Sequence, residues 1–76
     1  MSQEDIYAVI PAFNAETSLG EVIDRTEEYV RRVIVVNDGS TDRTGQVARS
    51  RSIELISIPS NRGKGYALRL GFSYAL

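Results

Sequence analysis

The residues with chemistry to offer fall in three short stretches, each closing an apolar run. Val33-Ile34-Val35-Val36 leads directly into Asn37-Asp38-Gly39-Ser40-Thr41-Asp42, so the Asp38 carboxylate sits at the tip of a rigid strand. A carboxylate held there accepts N–H or O–H groups from a base or a ribose. Pro11-Ala12-Phe13-Asn14 follows the run from Ile6 to Ile10 and sets an aromatic ring just past a strand end, where Phe13 can stack on a flat ligand. Asn61-Arg62-Gly63-Lys64-Gly65 follows the run from Ile53 to Ile58. Its glycines let backbone N–H groups approach an anion, the helix start attracts that anion, and Arg62 and Lys64 add charge.

Taken singly, the same residues admit plainer roles. Asp38 can cap its own turn while Gly39 supplies a positive φ. Phe13 can be a core ring sealing the first helix, and Asn14 either a helix cap or a ligand contact. Ser40, Thr41 and Asp42 read as turn and cap residues rather than catalytic groups. The Gly-Lys-Gly stretch can be a solvated loop. It is not a Walker A loop, because Gly65 stands where Ser or Thr must follow the lysine; nor is it G-x-G-x-x-G, since Gly63-Lys64-Gly65 runs on to Leu68. With no His and no Cys, the chain lacks imidazole–nucleophile pairs, disulfides and the usual zinc ligands. The adjacent carboxylates Glu4-Asp5 and Glu27-Glu28 read as terminus and solvated face.

What gives the three stretches weight is the order of elements that must position them. Ile6–Ile10, closed by Pro11, reads as a first strand. Asn14, Thr17 and Ser18 are candidate helix starts, with Ser18 and Glu21 at capping-box spacing. Leu19, Val22, Ile23, Thr26 and Val30 share one helical face, and Arg31 and Arg32 suit the carboxyl end of that helix dipole. Val33–Val36 is β-branched throughout, as in a strand covered on both faces. Asp42 or Thr44 starts a short second helix to about Arg49, with Val47 and Ala48 inward. Ile53–Ile58 is a third strand ending at Pro59. From Lys64 onward, Ala67, Leu68, Gly71, Phe72 and Ala75 form a helical stripe that meets no stop signal. The order is β-α-β-α-β-α, an α/β chain with a parallel open sheet and right-handed crossovers. In such a sheet all three polar loops emerge along one edge, where open α/β sheets hold ligands. The opposite edge, around Arg31 and Arg51-Ser52, is chemically plain.

Size and charge bound the rest. Seventy-six residues make at most one small domain, at the margin of independent stability, so the chain is expected to be part of a larger unit. A net charge of −1 gives no basic field of the kind nucleic-acid binding needs. The polar, acidic start is wrong for a secretory signal, and no apolar run reaches membrane-spanning length. A cytoplasmic chain is expected.

Val9-Ile10-Pro11-Ala12-Phe13-Asn14, then Val33 to Asp42, then Asn61-Arg62-Gly63-Lys64-Gly65-Tyr66-Ala67-Leu68 together resemble the opening of family 2 glycosyltransferases. These are GT-A fold enzymes that include dolichol-phosphate mannose synthases and bacterial polyprenyl-phosphate glycosyltransferases. The resemblance runs from Tyr7 to Leu76 and rests on three motifs in order at fitting separations. It implies a Rossmann-like N-terminal half of a GT-A fold that binds the nucleotide of a UDP- or GDP-sugar donor. On the same resemblance, Pro11 and Phe13 line the base and ribose pocket, Asn14 belongs to that loop, and Asp38 hydrogen-bonds the base. Lys64 with Gly65 lies toward the ribose or diphosphate. Many members carry Glu where this chain has Ala15 and Asp where it has Asn37. The family's Asp-x-Asp site for Mg²⁺ or Mn²⁺, its catalytic base and its acceptor surface correspond to sequence beyond this chain. Residues 1–76 therefore read as a partial domain, with no catalytic group and no turnover expected alone, and with polyprenyl or dolichyl phosphate as an acceptor of the intact enzyme. Two rivals stand beside this reading: a non-catalytic module that self-associates through an exposed first strand, and a nucleotidyltransferase-like fragment of the same architecture.

Overall fold

The computed structural model describes residues 6–76; the Glu4-Asp5 pair lies outside the described residues. Three strands, β1 (Tyr7–Ala12), β2 (Arg32–Asp38) and β3 (Glu54–Ile58), alternate with three helices, α1 (Leu19–Thr26), α2 (Thr44–Arg49) and α3 (Lys64–Ala75). Both strand pairs are parallel and the sheet order is β1-β2-β3. The register runs Tyr7 to Arg32 through Ala12 to Asn37, then Ile34 to Glu54 through Asp38 to Ile58. This is the α/β architecture that the alternation of runs implied.

Strand β2 is central, and its β-branched run serves both faces. Val33 and Val35 join Ala12, Leu19, Ile23 and Ala48 in a cluster beneath α1 and α2. Val36 joins Ile58 and Ala67 in a second cluster beneath α3. Alternating side chains on a strand covered on both sides account for the near-continuous burial of Val33 through Val36. α1 and α2 thus lie on one face of the sheet and α3 on the other, over β1 and β2. Gly71 makes that close packing feasible: a Cβ there would sit 2.3 Å from Val9 Cγ1.

Several local expectations are corrected. Pro11 does not close the first strand but lies within it, paired with Val36. Arg31 donates its amide to the Ile6 carbonyl, so alternation turns Pro11 toward the outer edge of β1, where its missing N–H leaves no ladder bond unmade. α1 ends at Thr26, and Arg32 opens β2 rather than ending the helix. Its guanidinium forms a two-bond pair with Glu54 at 2.8 and 2.6 Å and stacks over Tyr7, 4.8 Å from the ring centroid. Ser18 precedes α1 but makes no side-chain cap bond, so the capping box does not form. Val22 and Phe72, expected inward, are 43% and 57% exposed. Phe72 lies on a flank of α3 away from Ala67 and Leu70, which pack on the sheet.

Candidate functional site

All three polar loops leave the carboxyl ends of parallel strands, and the sheet brings them to one rim. There they border a cleft of about 450 Å³ lined by Pro11, Ala12, Phe13, Asp38, Asn61, Gly63 and Lys64. A volume of this order suits a small organic ligand. α3 lies on the opposite face from α1 and α2 and returns over β1. The chain thus reverses its march across the sheet after β3, and open α/β sheets bind ligands where that reversal occurs.

Pro11, Phe13, Asp38 and Lys64 come together in the cleft lining. Asn14 and Gly65 adjoin it in sequence and are not in the lining. Phe13 is half exposed, at 50%, which argues against its role as a core ring sealing α1. Asn14 does not cap a helix either. It takes a left-handed φ of 48°, a conformation that asparagine tolerates better than most residues. From there its Oδ1 accepts the Thr41 amide at 2.9 Å, and its own amide donates to Ser40 Oγ at 3.0 Å. Ala15 N donates to Thr44 Oγ1 at 2.8 Å, and Glu16 N to Asp42 Oδ2 at 3.2 Å. The β1–α1 and β2–α2 loops are therefore bound together residue by residue.

Asp42 is not the N-cap of α2 as expected; Arg43 is, without a side-chain cap bond, and the Asp42 carboxylate ties the two loops together instead. Its Oδ1 accepts the Thr44 amide at 2.9 Å and the Thr44 hydroxyl, while Oδ2 reaches Glu16. Desolvation opposes the charged form of Asp42. The bonds from the Thr44 hydroxyl and amide and from the Glu16 amide outweigh it, and the pKa falls below the usual carboxylate value. Thr44, fully buried, joins the two loops through one oxygen. By sequence Thr44 is only a helix start; the signal for more is a hydroxyl at an otherwise apolar, inward position.

Asp38 is 3% exposed, and its carboxylate faces the β3–α3 loop rather than its own turn. Oδ1 accepts the Arg62 amide at 2.7 Å; Oδ2 accepts the Gly63 amide at 2.9 Å and Asn61 Nδ2 at 3.1 Å. Gly39 does supply a positive φ, 68°, and its bare Cα lets the two loops touch: a Cβ would lie 2.3 Å from Asn61 N and 2.5 Å from Ser60 C. The expected anion cradle is altered by this. Two of its backbone donors, Arg62 and Gly63, point at Asp38, and Arg62 places its guanidinium over Tyr66, 5.3 Å from the ring centroid. Lys64 is exposed and remains in the cleft lining.

The residues present do not fit a divalent cation. Among the described residues Asp38 is the one carboxylate lining the cleft, its oxygens accept from three N–H donors, and no group of three or more His, Cys, Asp or Glu gathers. No helix among the described residues is long and apolar enough to cross a membrane.

Residues 7–76 match the family described as Glycosyl transferase family 2. An uncharacterized protein of Methanocaldococcus jannaschii is 35% identical over the whole of this chain and 32% of its own length. A dolichyl-phosphate beta-glucosyltransferase of Homo sapiens is 33% identical over 90% of this chain and 26% of its own length. An uncharacterized glycosyltransferase of Escherichia coli is 40% identical over 92% of this chain and 19% of its own length. The chain thus spans a third or less of the length of these relatives.

Proposed function

Because the chain belongs to glycosyl transferase family 2, we propose that it supplies the nucleotide-binding half of an enzyme that transfers a sugar from a nucleotide diphosphate sugar to an acceptor. The observation that carries this reading is the convergence of Pro11, Phe13, Asp38 and Lys64 on one cleft at the carboxyl edge of a parallel sheet. Pro11 and the half-exposed Phe13 flank the base and ribose. Asp38 uses three of about four lone-pair sites on N–H donors within the chain, leaving one to accept from the base. Lys64, with Gly65 behind it, lies toward the ribose or diphosphate. Asn14 serves the site by fixing the loop that carries Phe13.

A UDP- or GDP-sugar is the donor in this reading. A lipid phosphate of the dolichyl or polyprenyl kind is the acceptor, supported by the name of the human relative. Mg²⁺ or Mn²⁺ would be held by residues other than those described here, and the 76-residue chain binds nucleotide weakly without turning over. Calorimetric titration with UDP and with GDP, each with and without Mn²⁺, tests this. Saturable heat with one nucleotide, lost in Asp38→Ala with oligomeric state unchanged, supports it. Absence of binding to both, or robust sugar transfer by the chain alone, sinks it.

One observation favours a second reading. β1 lies at an edge of the sheet among the described residues. Such an edge templates pairing with another strand, so self-association through β1 is the competing property. A monodisperse monomer by light scattering counts against it.

A further inference from the structure

Asp38 does a job that a donor-contact role does not require: its carboxylate builds the loop in front of α3. Each oxygen accepts one of two consecutive amides, Arg62 at 2.7 Å and Gly63 at 2.9 Å, and Asn61 Nδ2 closes the group with bonds to Oδ2 at 3.1 Å and to the Asp38 carbonyl at 3.2 Å. Three residues, 23 to 25 positions further along the chain, are thus gathered by one side chain that is 3% exposed. Charge-assisted bonds to a buried carboxylate are the strong kind. The next residue is Lys64, first of α3 and part of the cleft lining. Gly63, with φ at 94°, lies in a region most residues avoid, and a Cβ on it would meet nothing within 4 Å. No close packing constrains the Cβ side of Gly63, and the bonds from Asn61, Arg62 and Gly63 to Asp38 tie the loop at that point.

We propose that Asp38 is a positioning residue for Lys64, acting through the Arg62 and Gly63 amides, so that the base end and the diphosphate end of the cleft are mechanically coupled. For its ligand this rests on the donor-site reading; for the loop it rests on the hydrogen bonds alone. Asparagine at position 38 keeps the shape but offers one acceptor oxygen where two amides need two. Its NH₂ then faces an N–H, and one amide is left unpaired.

Two measurements on the 76-residue chain decide the matter. The first is amide hydrogen exchange at Arg62 and Gly63, which needs no ligand. Asp38→Asn is expected to speed exchange at one or both by roughly tenfold or more, the loss of one charge-assisted bond; unchanged rates at both overturn the proposal. The second is a double-mutant cycle of Asp38→Asn with Lys64→Ala, read as the Kd for UDP or GDP, whichever the wild type binds. If Asp38 places Lys64, the Asp38→Asn loss includes the Lys64 contact beside the direct base contact, and the double variant is weakened by clearly less than the product of the two single losses. Losses that multiply mean that Asp38 and Lys64 act independently, which also overturns it. Should Asp38→Asn fail to fold, Asn61→Ala takes its place in both measurements, with the same expectations in smaller degree. If the wild type binds neither nucleotide, the donor-site reading fails by itself, and exchange at Arg62 and Gly63 alone decides the loop's dependence on Asp38.

Discussion

Replacing Gly71 by alanine sets two opposing magnitudes against each other. In a free helix the change stabilises by about 1 kcal/mol, because alanine is the better helix former. On α3 the added Cβ would lie 2.3 Å from Val9 Cγ1, 3.2 Å from Val36 Cγ2 and 3.4 Å from Val9 Cβ. Carbon atoms come to rest at about 3.5 Å, so α3 must lift from the sheet or β1 must give way. Val9 is β-branched and stiff at χ1, and Val36 is fully buried in the central strand. Overpacking of this kind costs about 1–3 kcal/mol. With two stiff neighbours the upper end applies, and the net expectation is a loss of about 2 kcal/mol, taking the lower helix propensity of glycine into account.

For 76 residues total stability is about 4–11 kcal/mol, so a loss of that size is large. Urea unfolding followed by far-ultraviolet circular dichroism measures it directly. Val9→Ala removes the clashing carbon, and the pair Val9→Ala with Gly71→Ala should be more stable than the sum of the two single changes by about 1–2 kcal/mol. The reasoning is refuted if Gly71→Ala unfolds at the same or higher urea concentration, or if the two changes simply add. The same lift would carry the first residue of α3, Lys64, away from the cleft.

Two further outcomes follow from the site and its surroundings. Phe13→Ala should leave the urea midpoint nearly unchanged, because half the ring is exposed, while weakening nucleotide binding at least about fivefold, the low end of the ~1–3 kcal/mol that base stacking contributes; a large stability loss with affinity intact would make it a core residue after all. Acid should unfold the chain through carboxylates whose folded pKa is depressed. The Arg32 hydrogen bonds hold Glu54 low, and those from Thr44 and Glu16 outweigh desolvation to hold Asp42 low. A depressed carboxylate lends stability that is present above its unfolded pKa and lost as pH falls through the folded one. Unfolding free energy should therefore be level down to about pH 5, then decline below about pH 4, and Glu54→Gln with Asp42→Asn should flatten the decline. Equal stability of the wild type at about pH 3 and pH 6 would contradict this.

The order of elements was open to reading because β-branched runs bounded by polar turns state it locally, and the parallel sheet follows from crossovers of helical length. The structure departs from the local pattern where a distant partner overrules a neighbour. Pro11 reads as a terminator, yet an edge strand accommodates its fixed φ, and on the outer edge of β1 its missing donor is not needed. Arg32 matched a helix end by charge, but Glu54 on β3 and the Tyr7 ring on β1 claim it for the sheet. Phe72 fell on an apolar stripe, and that stripe says nothing about width: α3 covers β1 and β2 and leaves this flank open. Asp38 was visible as a rigid carboxylate, but no spacing rule shows that its partners lie at Asn61, Arg62 and Gly63.

The rim also divides its labour in a way that bears on function. Asn14, Asp42 and Thr44 join the first loop to the second, and Asp38 joins the second to the third. Four polar residues, of which Asn14 and Asp38 are open on sequence to either capping or ligand binding and Asp42 and Thr44 read only as turn and cap residues, are thereby engaged in holding the loops in place. The side chains with surface to spare, Phe13 and Lys64, are attached to those same loops and border the cleft. Preorganisation of this kind lowers the ordering cost of binding, since the loops are fixed before a ligand arrives. It also means that a substitution at Asn14, Asp42 or Thr44, none of which lines the cleft, should move Phe13 without removing a ligand contact, so nucleotide affinity should fall where no atom of the ligand's own surroundings has changed.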